Sequence, residues 1–137
     1  MRVGRHRLGD VAAAAGVAAT LSGAPSTAHA VATGRSPLAA ARAAGELLGR
    51  PGLVRGLVAH VAVSSWWTLA IAVALPRRHP RVWGGLFGLA IAVLDLGIAR
   101  RRFPAIAGLP AGAQVADHIA FGVLAADVLT RAGSRPT

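Results

Sequence analysis

Four residues able to titrate or bind metal fall inside or at the edge of otherwise apolar stretches: His29, His60, Asp95 and His118. Ionisable side chains are costly in hydrocarbon, so each is a candidate functional residue. Three imidazoles and a carboxylate have the ligand types and number for Zn²⁺ or another divalent metal. His60 and His118 alone would suit the two axial positions of a haem held between helices. The same groups could relay protons, or serve a proton-coupled small transporter in which Asp95 and the histidines change protonation as access switches, because imidazole titrates near neutral pH. The plainest alternative is that Asp95 hydrogen-bonds His60 or His118 and holds the helices together, a contact worth roughly 0.6–2 kcal/mol.

Composition places these residues in a membrane. The chain has 137 residues, is 54% hydrophobic with a mean hydropathy of +0.54, and carries only 15% charged residues. A soluble domain carries about 25% charged residues. The shortfall leaves too little polar surface to clothe a globule, and disorder requires low hydrophobicity. The net charge of +10 comes from arginine, with no lysine. Those arginines flank the apolar runs, as juxtamembrane charge does, and point to anionic lipid headgroups rather than nucleic acid. The absence of cysteine removes disulfides, thiol catalysis and thiolate metal sites. Arginine as sole strong base, with abundant Ala, Gly and Val, suggests a bacterial gene and hence the bacterial cytoplasmic membrane.

The charge-poor stretches predict four spans, at 10–33, 53–76, 82–100 and 111–131, within one integral membrane domain over 1–137. A further helix at 37–48 is expected to lie in the interface, with Ser36 as N-cap, Pro37 in its first turn and Gly49 after it. Arg42 and Glu46 are spaced to pair on its polar side. Pro25 should kink the first span, with Ser22, Ser26 and Thr27 at hand for the freed backbone groups. A signal peptide is the rival for that span: Arg2, Arg5 and Arg7 precede an apolar run ending in Ala28-His29-Ala30. Asp10 and the weak hydrophobicity of the run favour a retained helix. The expected fold is therefore all-α, a polytopic four-helix bundle with a short interfacial helix between spans one and two. Arginines divide 8 to 7 between the two sides, which leaves orientation open.

Alternating spans would bring His29, His60, Asp95 and His118 to similar depth, roughly 6–12 Å below one surface at 1.5 Å per residue. Small residues share their helical faces: Gly56 and Ser64 with His60, Gly84, Gly88 and Ala92 with Asp95, Gly122 and Ala125 with His118. Asp117, about 100° round the helix from His118, is expected to reach this layer or the next helix contact. Asp127 is expected to pair with Arg131. No nucleophile elbow or phosphate loop occurs, so a non-enzymatic protein is expected. The glycine faces could equally serve a homo-oligomer.

Two stretches, Gly56-Leu57-Val58-Ala59-His60-Val61-Ala62-Val63-Ser64 and Ala116-Asp117-His118-Ile119-Ala120-Phe121-Gly122, carry a resemblance. An early His followed by a small-residue face in spans two and four is similar to uncharacterised bacterial four-span inner-membrane proteins of the YagU-like group. That resemblance implies the fold and membrane but no activity. The small multidrug transporters match in size and span number. They carry an essential acid in the first span, where this chain has only Asp10 at the edge.

Overall fold

The computed structural model describes residues 1–133 and is mostly helical. A minimal antiparallel hairpin, β1 (Arg2–Val3) and β2 (His6–Arg7), leads into α1 (Leu8–Leu21) and α2 (Ala24–Ala32). Next come α3 (Ala39–Ala44), continued by a 3-10 turn over Gly45–Leu48, and α4 (Leu53–Ala74). After these follow α5 (Pro80–Arg102), the single turn α6 (Pro104–Ala107) and α7 (Ala111–Gly133).

Among the described residues, three helices are long and apolar enough to cross a membrane: α4, α5 and α7. The four-span expectation is corrected at its first member. Residues 10–33 form two helices rather than one kinked helix, because the chain breaks at Ser22 and Gly23. Pro25 has no N–H to return to the Leu21 carbonyl, and its ring would press on that group, so the ladder ends there. α2 then ends in a glycine-dependent reversal. Gly34, at φ 67°, lets its own N–H reach the Val31 carbonyl and the Arg35 N–H reach that of Ala30. The expected helix at 37–48 starts later, at Ala39, and its last turn tightens to 3-10 geometry. Ser36 Oγ still accepts the Leu38 N–H, at 3.3 Å.

α5 and α7 pack along most of their length, α1 rests on α4 and α7, and α2 rests on α7. Gly84 and Gly88 on α5 meet Gly122 and the backbone of His118 on α7 so closely that a Cβ at any of these glycines would strike backbone. Small residues permit this approach, and hydrocarbon makes dense packing the main attraction between helices. Gly56 similarly lets the Ala41 backbone settle on α4. Val11, Ala14 and Ala18 pack with Ile71, Ala72, Leu75, Phe121, Ala125 and Leu129 into a dense core. This core fills the half of the bundle nearest the N-terminal hairpin. α4 and α5 make little backbone approach to each other, and the other half of the bundle opens into a cavity between them.

The hairpin closes the dense end. Arg5 Nη1 donates to the Leu75 carbonyl at the end of α4, at 3.0 Å. His6 is only 3% exposed, and its Nε2 has no hydrogen-bond partner among the described residues. Burial, and then the neighbouring Arg5 charge, push its pKa below the ordinary value, with Asp10 opposing. Asp127 binds Arg131, as expected from their spacing, and Arg81 on α5 as well.

Candidate functional site

The open half of the bundle holds a cavity of about 430 Å³. Leu57, Val63 and Trp67 line it from α4, Ile91, Leu96 and Ala99 from α5, and Phe121 from α7. α3 and α6 close its outer end. Two polar ties hold that closure. Glu46 Oε2 accepts the Ala105 N–H at 2.8 Å, so Glu46 caps α6 where a local pair with Arg42 was expected. Arg100 donates to the carbonyls of Leu109 and Ala107, at 2.8 and 2.9 Å, and satisfies the turn that leads into α7.

His60, Asp95 and His118 all face this cavity, and Asp117 joins them. His29 does not. It sits exposed on α2, because the break before Ala24 gives α2 a direction independent of α1. Among the described residues no three His, Asp or Glu side chains are grouped so as to hold a metal ion. The four-residue metal set His29, His60, Asp95 and His118 is therefore not assembled.

The break between α1 and α2 accounts for two of these polar groups. A helix end leaves backbone carbonyls or N–H groups without partners, and inside a membrane they must find protein partners. His60 Nε2 lies 2.8 Å from the Ala19 carbonyl near the end of α1, to which it can only donate. Asp117 Oδ1 accepts the Ser26 N–H in the first turn of α2, at 2.9 Å. An anion at a helix N-terminus and a donor at a C-terminus both suit the helix dipole. Ser26 Oγ adds a bond to the Gly23 carbonyl. His60 on α4 and Asp117 on α7 thus cap the two halves of the interrupted segment.

Asp95 and His118 make a second cluster. His118 Nδ1 donates to the Gln114 carbonyl one turn earlier, at 2.7 Å, which points Nε2 at Asp95 Oδ2, 3.7 Å away. Trp67 Nε1 donates to the same Oδ2 at 3.0 Å. One carboxylate oxygen therefore gathers α4, α5 and α7 at a single point. A neutral imidazole with its proton on Nδ1 would turn a lone pair toward that oxygen. A proton or cation between the two acceptors makes the arrangement favourable.

Sequence reasoning missed Trp67 as Asp95's partner, although Trp67 follows His60 by seven residues, about two helical turns, on the same side of α4. It also missed Glu46 as a cap on α6, since nothing local links residues 46 and 105. No family model matches the chain, and no curated protein or solved structure was found to match it.

Proposed function

We propose that the chain is a non-enzymatic multi-pass protein of the bacterial cytoplasmic membrane that binds a small lipophilic molecule in the cavity beside Asp95 and His118. The observation that carries this reading is the cavity itself: about 430 Å³, largely apolar in its walls, with the Asp95–His118–Trp67 cluster on one side. Ligand sites for small molecules have this form, with volumes of about 300–1,000 Å³ and a few converging polar groups. A non-enzymatic role fits the hydrogen bonds. Ser22, Ser26 and Ser64 line the cavity, yet both imidazoles bond backbone carbonyls rather than a hydroxyl they could activate. The arginines at the helix ends are assigned to anionic headgroups.

The test is saturable binding of a neutral apolar probe, neopentylbenzene, to the protein in phosphatidylcholine nanodiscs. Ala99 lines the cavity, so Ala99→Phe should fill part of it and abolish the saturable component. Absence of saturable binding both by this probe and by charged probes of its shape, or a saturable component indifferent to Ala99→Phe, would mean partition into lipid and would sink the reading.

A further inference from the structure

We infer that the ligand is an organic cation, with a compact apolar body and one positive charge seated beside Asp95. This rests on the cavity being a ligand site and goes further by naming the charge. The chain contains 15 arginines and no lysine, and among the described residues no arginine lines the cavity, whereas Asp95 and Asp117, two of only five acids, do, beside the imidazoles of His60 and His118. The other acids with polar contacts are differently placed: Asp127 holds Arg81 and Arg131, and Glu46 caps α6. Asp95 and Asp117 meet Trp67, His118 and the Ser26 backbone, none of them a permanent cation.

In a chain of net charge +10, a cavity lined by two carboxylates and, among the described residues, by no guanidinium discriminates by sign. Charge–charge energies grow as the local dielectric falls, so a cation is favoured there and an anion repelled. An inorganic ion is the poorer fit, since the described residues offer no group of three ligating side chains. The apolar walls suit the body of an organic cation, and Trp67 and Phe121 supply aromatic surface that attracts one.

Three probes of nearly one shape separate these terms: benzyltrimethylammonium, its neutral carbon isostere neopentylbenzene, and benzylsulfonate. Binding is measured by equilibrium dialysis against protein in phosphatidylcholine nanodiscs. The cation is expected to saturate one site at least about tenfold more tightly than the neutral isostere, and the sulfonate to show no site. Asp95→Asn keeps an acceptor for the Trp67 N–H. It should weaken cation binding about tenfold or more and leave the neutral probe unchanged. Asp127→Asn, outside the cavity, should change neither. Equal affinity for cation and neutral probe, tighter binding of the sulfonate, or indifference to Asp95→Asn would overturn the cation inference and leave the ligand cavity standing. Saturable binding of none of the three would overturn both. If Asp95→Asn fails to fold, the comparison of probes on the unaltered protein decides alone.

Discussion

Asp117 shows how a residue earns its place through a neighbour's backbone. Its carboxylate accepts the Ser26 N–H, one of the N–H groups left open where α2 begins. Gly23, at the N-cap position, has no side chain to do this, so the cap comes from α7. Removing a helix cap costs about 0.5–2 kcal/mol. Asp117→Ala is therefore expected to lower unfolding stability by about that amount and to raise hydrogen exchange selectively at the start of α2. Asp117→Asn keeps an acceptor oxygen and should retain most of the protection. Equal loss in both variants, measured by denaturant titration and amide exchange, would mean that charge matters here and capping does not. His60 plays the matching part for the Ala19 carbonyl at the end of α1. Neither role could be read from residue type, because Ala19 and His60, like Ser26 and Asp117, are far apart in the chain.

At the scale of the elements, glycines set the position of the polar groups. Gly84 and Gly88 allow α5 to lie against the α7 backbone at Gly122 and His118, which brings Asp95 within reach of His118. A side chain at Gly88 would strike the His118 carbonyl and force the helices apart. Gly88→Val is expected to destabilise the protein by about 1–3 kcal/mol, the usual cost of overpacking. It should also weaken cation binding, because the pair α5–α7 holds the cluster. Gly97 has open space around its missing side chain, so Gly97→Ala should leave both properties nearly unchanged. Thermal unfolding and the dialysis assay read the two effects side by side. The small-residue faces of α5 and α7 were legible in the sequence, since a glycine or alanine every four residues is a local pattern. The division of residues 10–33 was half legible: Pro25 announced a disturbance, but a kinked helix and a full break share the same signal. Which of the two occurs depends on whether partners exist for the freed groups, and His60 and Asp117 are those partners.

For the whole molecule, one end is closed and the other open. The dense end is sealed by the N-terminal hairpin, through the Arg5 bond to Leu75 and the buried ring of His6. A pKa pushed below its ordinary value means that the folded state prefers neutral His6. Between the folded and unfolded pKa values the unfolded chain binds more protons, so stability rises with pH across that window. The His6 contribution is thus fully present above about 6.5 and is lost as pH falls toward the lower folded value. Denaturant midpoints measured from neutral pH to pH 5 should show this decline, and His6→Gln should flatten it. A decline of the same size in His6→Gln would assign it to other groups. At the open end, the α3 and α6 ties put a lid of short helices over the cavity, while the long helices leave its apolar wall between α4 and α5.

Sequence alone determined the solvent and the class of element. Apolar length, sparse charge and arginines at segment ends are properties of the chain in one dimension, and they decide that long helices lie in hydrocarbon whatever their mutual arrangement. It also determined that His60, Asp95 and His118 are anomalous, because an ionisable group in an apolar run is costly in any fold. Only the tertiary structure decided what the anomalies do. It kept His29 out of the cavity, brought Asp117 in, joined Trp67 to Asp95, and left, among the described residues, three helices rather than four long enough to span. The reason is that a polar group's role is set by which backbone or side chain comes within about 3 Å of it. Those approaches follow from the direction of α2 after the break and from the glycine contact of α5 with α7, which composition does not encode.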